Sequence, residues 1–81
     1  MLLTIEHNKR EDSIEVFMDQ EGLDFFSKRL EILRKHGGHE HLMTPAWAGN
    51  ELTEDKQGKD NDLIHHLRLV LQPADESPAQ S

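Results

Sequence analysis

Histidine is the residue type in this sequence best able to carry site chemistry, because six histidines occur among its 81 residues. His39 and His41 lie two residues apart in a stretch with strand character, so their side chains share one face. His65 and His66 belong to a later apolar strand, which we expect to pair with the strand that carries His39 and His41. Two imidazoles from one strand and one from the other would bind Zn²⁺ or Ni²⁺ at about 2.0–2.1 Å.

The same four histidines have a structural interpretation that needs no metal. A His-x-His pair occurs on strands without metal, and the known two-histidine helix motifs are missing from this sequence. The imidazoles would then hydrogen-bond across the strand pair or pack at the rim of the sheet. We favour this interpretation, with no bound cofactor, and keep a metal site with Glu40 or Asp62 as an added carboxylate ligand as the alternative.

Trp47, the single tryptophan, follows Pro45 where the third strand is expected to end. The interpretation that we favour is that its indole closes one end of the core. The alternative is an exposed anchor at a binding surface, where tryptophan is over-represented. The long connection after Trp47 is acidic, which suits a solvated loop or a surface for a basic partner. The candidate partner-binding acids in it are Glu51, Glu54, Asp55, Asp60 and Asp62.

No catalytic motif is found in the sequence. A histidine with a carboxylate can act as a general acid or base, since imidazole titrates near neutral pH. However, the sequence has no nucleophile elbow, no phosphate-binding loop and no paired carboxylates that can be placed in a pocket. One layer of sheet and one helix also leave little room for a cleft. We therefore predict that the protein is not an enzyme.

The composition of the sequence limits the cellular location and the classes of ligand that we expect for this protein. It contains no cysteine, so it has neither disulfides nor thiolate metal ligands. The first residues lack the basic start and apolar run of a signal peptide, and no apolar stretch is long enough to span a bilayer. The formal net charge of -7 repels nucleic acid and anionic membranes. We expect a soluble, cytoplasmic protein that binds neither.

The element that must position these residues is a helix over residues 22–36. Leu23, Phe26, Leu30 and Leu33 recur at the helical period and form one apolar stripe. A single helix cannot bury such a stripe, so the stripe must pack against a sheet.

The ends of this helix have clear local chemistry. Asp19 is a suitable N-cap, because its carboxylate can accept from the free amides of the first turn. Gly22 is a poor helix former at this position, so it either allows a close backbone approach or marks a start of the helix one or two residues later. Gly37 and Gly38 supply the left-handed stop, so the helix is expected to end before them.

Four segments have strand character, and they occur in the order β-β-α-β-β. They are residues 2–7, 13–18, 39–44 and 63–71. This order predicts an α+β fold: a four-stranded, mostly antiparallel sheet with one amphipathic helix on one face. Residues 1–72 would form a single domain, with 73–81 as a disordered C-terminal tail.

The alternation of side chains along these strands predicts which residues face the helix. The side chains expected in the core are Leu3, Ile5, Ile14, Val16, Met18, Leu67, Leu69 and Leu71. The opposite face of the sheet would be left uncovered. Its side chains are expected to include Thr4, Glu6, Glu15, Phe17, His66 and Arg68. Such a mixed surface suits water or a partner.

Four short motifs carry a resemblance to a known family. They are Glu21-Gly22-Leu23, His39-x-His41-Leu42, Trp47-x-Gly49-x-x-Leu52 and Leu63-Ile64-His65-His66-Leu67. Over about residues 3–71 the chain resembles the immunity protein 32 family of bacterial polymorphic toxin systems. The resemblance implies a compact α+β protein that binds and neutralises a cognate toxin and has no catalysis of its own. It does not identify the residues that contact the toxin.

We therefore predict a non-enzymatic binding protein, an immunity-type inhibitor of a bacterial toxin. Its acidity would suit a toxin that is a nuclease, since a nuclease is basic where it holds its substrate. Two other functions stay open. One is a small metal-binding or metal-sensing domain based on the histidines, and the other is an accessory domain that forms a homodimer through its open sheet face.

Overall fold

A computed structural model describes residues 1–73 of the chain. The disordered tail predicted over 73–81 lies, apart from Pro73, outside the described residues. The elements are β1 (Leu3–Asn8), β2 (Ser13–Met18), α1 (Gln20–His36), β3 (Gly38–Met43), a 3₁₀ turn (Pro45–Trp47), β4 (Asp62–Ile64) and β5 (His66–Leu71). The predicted α+β class is confirmed.

The strands form two antiparallel sheets, so the predicted single four-stranded sheet is wrong. One sheet has the order β2-β1-β4, and the other pairs β3 with β5. The strand predicted over 63–71 is divided at His65. The carbonyl oxygen of His65 accepts a hydrogen bond of 3.0 Å from the amide of Thr44, and the chain passes there from the first sheet to the second.

The core lies where the two sheets and α1 meet. Its fully buried apolar residues are Leu3, Ile5, Leu42 and Leu52. The partly buried apolar side chains around them are Met18, Phe25, Phe26, Ile64, Leu67 and Leu69. Leu52, which belongs to the long connection after β3, was not predicted to be in the core. The connection therefore contributes to the hydrophobic core as well as joining two strands.

Part of the predicted core is exposed. Ile14 is 59% exposed, and Val16 and Leu71 are also exposed. β2 is one of the two outer strands of its sheet. Only its last residue, Met18, which pairs with Leu3, packs on the core. The side-chain alternation of β2 was predicted correctly. However, the core does not extend to the end of β2 that follows the turn from β1.

The caps of α1 form as the sequence predicted, although the helix begins at Gln20, two residues before the predicted start. The carboxylate of Asp19 accepts from the amide of Gly22 at 2.7 Å. Gly37 has φ of 72°, and its amide donates to the carbonyl of Leu33 at 2.8 Å. The close approach at Gly22 is confirmed, because a Cβ at this position would lie 2.0 Å from the carbonyl oxygen of Leu2.

The buried side of α1 is rotated from the predicted stripe. Leu23 and Leu30 are each 44% exposed, whereas Gly22 and Leu33 are buried and Phe26 is partly buried. The close contact at Gly22 brings that side of the first helical turn against the backbone of Leu2. Leu33 lies on the same side of the helix three turns later. α1 contacts strands of both sheets, β2, β3 and β5.

The sheet face predicted to be open at Thr4 and Glu6 is covered, because both residues are fully buried. The cover is the connection over residues 52–61. Its Thr53 donates from the amide to the carbonyl of Leu3 at 2.8 Å, and its hydroxyl accepts from the Leu3 amide at 2.9 Å. The connection therefore runs along β1, and the sheet face that stays uncovered belongs to the β3–β5 sheet.

Within residues 1–73, α1 and the short 3₁₀ turn are the helical segments, and neither has the length and apolar character needed to cross a membrane.

Candidate functional site

One face of the β3–β5 sheet points away from the core and carries three of the four predicted histidines. The register pairs His41 with Arg68 and Met43 with His66, which places these side chains on one face. The alternate residues, Leu42 and its neighbours on β5, point into the core. We call the outward surface, together with the adjoining indole, the imidazole face. Its side chains are His39, His41, Met43, Trp47, His66, Arg68 and Val70.

Four rings form a continuous row along the imidazole face. The ring centroids of His39 and His41 are 4.8 Å apart in an edge-to-face contact. The ring centroids of His41 and His66 are 5.0 Å apart, and the rings meet edge to edge, with His41 Nδ1 only 2.8 Å from His66 Nε2. The ring of Trp47 lies 5.8 Å from that of His66. The strand spacing and the strand pairing together produce this row, as the sequence predicted for His39 and His41.

The electrostatics of the row favour a neutral imidazole at its centre. Desolvation lowers the pKa of His41, and the nearby positive charges of His39, His66 and Arg68 lower it further, with Glu40 acting in the opposite direction. His41 thus stays neutral to a lower pH than an ordinary histidine. A neutral ring leaves one nitrogen free as an acceptor, which suits the short contact with His66.

Trp47 is 56% exposed, so the favoured prediction that it closes the core is wrong. It ends a 3₁₀ turn whose backbone is held at several points. The Trp47 amide donates to the carbonyl of Thr44 at 2.9 Å, and the Ala46 amide donates to Glu54 Oε2 at 2.9 Å. Ala48 follows with φ of 65°, which reverses the chain. The indole is therefore displayed on a fixed turn.

His65 is separated from the other three histidines. Its Nδ1 lies 2.7 Å from the hydroxyl of the buried Thr44 and 4.0 Å from Glu54 Oε2. The two carboxylates proposed as extra metal ligands are also engaged elsewhere, because Glu40 pairs with Arg29 and Asp62 pairs with Lys9. The residues described here contain no group of three or more His, Asp or Glu side chains arranged to hold a metal ion.

The predicted acidic surface separates into structural and free carboxylates. Glu51 accepts from the amide of Met43 at 3.0 Å, and Glu54 holds the 3₁₀ turn. Asp62 forms an exposed ion pair with Lys9 at 3.2 Å. Asp55 and Asp60 are exposed. Of the five predicted acids, Asp55 and Asp60 are therefore the ones best placed to meet a partner.

Glu6 is the important residue that the sequence did not reveal. Its buried carboxylate accepts from the hydroxyl of Thr4 at 2.6 Å, the amides of Gln57 and Gly58 at 2.8 and 2.9 Å, and the side-chain amide of Asn61 at 2.9 Å. Burial alone would raise the pKa of Glu6, but these hydrogen bonds outweigh it and hold the pKa at about 2. The carboxylate fixes the acidic connection against β1.

Comparisons with protein-family models, with curated proteins and with solved structures give no match to this chain. The resemblance to the immunity protein 32 family therefore stays a prediction. The chemistry of the exposed surfaces becomes the basis for assigning a function.

Proposed function

We propose that this chain is a non-enzymatic binding protein of the immunity type, which binds and neutralises a cognate bacterial toxin in the cytoplasm. The observation that supports this proposal is the exposure of Trp47 on a turn fixed by hydrogen bonds. A tryptophan held in place loses little conformational freedom when it enters a partner's pocket, and tryptophan is enriched among the residues that dominate binding energy.

The charge of the chain supports a basic partner. The formal net charge is -7, and Asp55 and Asp60 are exposed on the connection fixed by Glu6. Complementary charge speeds association and disfavours partners of the wrong sign. A nuclease toxin fits this requirement, because its substrate-binding surface is basic.

Replacing Trp47 with alanine is expected to weaken binding to the toxin by about 2 kcal/mol, or roughly 30-fold. The toxin tested would be the toxic C-terminal domain of a large secreted protein encoded next to this chain, with affinity measured by calorimetry. The melting temperature should change little, because the indole is more than half exposed.

Ile14→Ala is the matched control for that measurement. Ile14 is a similarly exposed apolar residue, but it lies on β2 in the other sheet. Its replacement should leave the affinity unchanged. Equal affinities of the wild-type and Trp47→Ala proteins for the toxin would show that Trp47 does not contribute to binding.

Reversing the charges of Asp55 and Asp60 to lysine is expected to slow association with a basic toxin by about tenfold at low salt. The effect should shrink as salt is added, since exposed charges are screened. Stopped-flow association rates would measure it, with the same reversal at the exposed Glu11 as the control. A rate that is independent of both salt and charge would exclude a basic partner.

A homodimeric accessory domain is the second candidate function. The exposed apolar residues Ile14 and Val16 on the outer strand β2 favour it, because outer strands with apolar side chains can pair with a second copy. The mass of the purified protein in solution separates this function from that of a monomeric inhibitor.

A further inference from the structure

The side chains of His41 and His66 meet at one point of the imidazole face, where their ring nitrogens lie within hydrogen-bond distance. The two residues are diagonal neighbours on paired antiparallel strands, because His41 faces Arg68 and His66 faces Met43. His41 Nδ1 and His66 Nε2 approach to 2.8 Å, and the two ring planes are inclined to each other by 27°. The strand register fixes both Cα positions, so both nitrogens are delivered to one place by the fold.

We propose that His41 Nδ1 and His66 Nε2 together bind a divalent transition metal ion, Zn²⁺ or Ni²⁺, on the imidazole face. This site has fewer ligands than the metal site that the sequence left as an alternative, since it excludes His65. It does not depend on the toxin-binding function.

The geometry needs only a small adjustment. With metal–nitrogen distances of about 2.0–2.1 Å and a tetrahedral angle, two ligand nitrogens lie about 3.4 Å apart. The pair would therefore open by about 0.6 Å from its 2.8 Å contact. Rotation of two surface imidazoles about their side-chain bonds is sufficient, with no change in the strands.

The proton balance is also simple. In the neutral pair one of the two facing nitrogens carries a hydrogen and the other accepts it. Metal binding requires the lone pair of both nitrogens, so the ring that donated moves its hydrogen to its other nitrogen. No net proton is released from the neutral pair.

The ligand chemistry selects the ion. Imidazole nitrogens favour zinc, nickel and copper, whereas magnesium and calcium need oxygen ligands. The nearest carboxylate on β3, Glu40, is paired with Arg29. Two imidazoles leave coordination positions for water, and the ring of His39 lies beside His41 as an additional neighbour.

Trp47 supplies a built-in reporter for the test. It is the only tryptophan, and its ring lies 5.8 Å from that of His66. Ni²⁺ is paramagnetic and quenches tryptophan fluorescence at short range, so NiCl₂ added to the purified protein should quench Trp47 saturably. ZnSO₄ has no such effect of its own and should restore the fluorescence by displacing Ni²⁺.

Alanine variants show which histidines bind the metal ion. His41→Ala and His66→Ala should each weaken Ni²⁺ binding by about tenfold or more. His36→Ala is the matched control, because His36, like His41, is exposed but lies at the end of α1. Its replacement should leave the titration unchanged. Far-UV circular dichroism of each variant confirms that the strands are intact.

Three results would overturn the proposal. One is Ni²⁺ binding by His41→Ala and His66→Ala as tight as that of the wild-type protein. The others are quenching that does not saturate and equal quenching by MgCl₂. Each of these results leaves toxin binding untouched, and a failure to bind toxin leaves the metal titration untouched.

Discussion

Replacing Glu6 with glutamine is expected to lower the free energy of unfolding by about 2–4 kcal/mol. The buried carboxylate accepts hydrogen bonds from two backbone amides of the connection, those of Gln57 and Gly58, and from the side chain of Asn61. Glutamine has one acceptor oxygen, and its NH₂ group would face donors. At least one buried donor would therefore lose its partner, which carries the full desolvation cost.

Urea denaturation of the two proteins measures this difference, and Glu11→Gln serves as its control. Glu11 is an exposed glutamate in the turn between β1 and β2, so its replacement should change the stability by less than about 0.5 kcal/mol. Hydrogen exchange at Gln57 and Gly58 should be faster in Glu6→Gln, because the connection is no longer held. Equal losses of stability in the two variants would show that Glu6 does not hold the connection.

The same carboxylate predicts a dependence of stability on pH. Its hydrogen bonds lower its pKa in the folded protein from the ordinary 4.5 to about 2. The folded state therefore binds this proton less readily than the unfolded state, and the carboxylate stabilises the fold above pH 4.5. That contribution decreases as the pH falls from 4.5 toward 2. The stability difference between wild type and Glu6→Gln should shrink over the same range.

Glu6 also shows why the packing of the long acidic connection on β1 could not be predicted. A run of Asp, Lys, Gly and Asn is typical of a solvated loop, and nothing in the order of its residues reveals a buried partner. The partner is a carboxylate on β1, about fifty positions earlier in the chain, which alternation alone places on an open face. The burial of Leu52 in the core could not be predicted for the same reason. Contacts between distant segments have no local pattern.

Elements that depend on neighbouring residues were predictable. The cap at Asp19 and the stop at Gly37 follow from side chains and backbone angles within a few positions, so α1 has the expected caps. The division of the last strand at His65 depends instead on the pairing of that residue with Thr44. The apolar alternation continues across His65, so it predicts one continuous strand and a single sheet.

The histidine row was predictable in part. Spacing placed His39 and His41 on one face, and strand pairing brought a histidine of the last strand to them. Alternation also requires His65 and His66 to point to opposite sides of a continuous strand, so only one of them could join the row. Which one depends on the register with β3, and that register is fixed by the core residues Leu42 and Leu67.

Replacing Gly22 with alanine is expected to destabilise the protein by about 3 kcal/mol, although alanine is the better helix former by about 1 kcal/mol. The new Cβ would lie 2.0 Å from the carbonyl oxygen of Leu2 and 3.2 Å from the Cβ of Met18. The Leu2 carbonyl cannot move freely, because it accepts from the amide of Asp19 at 3.1 Å. The first turn of α1 would have to move outward, away from the hairpin.

Thermal unfolding of Gly22→Ala and of Ser27→Ala separates this steric cost from helix propensity. Ser27 is exposed on the same helix, so its replacement should raise the melting temperature slightly. Gly22→Ala should lower it by more than about 10 °C, given the small size of the domain. An increase in both variants would mean that the first turn of α1 does not lie against Leu2. The glycine at position 22 would then have a reason other than this contact. The rotation of the buried side of α1 would also need a different cause.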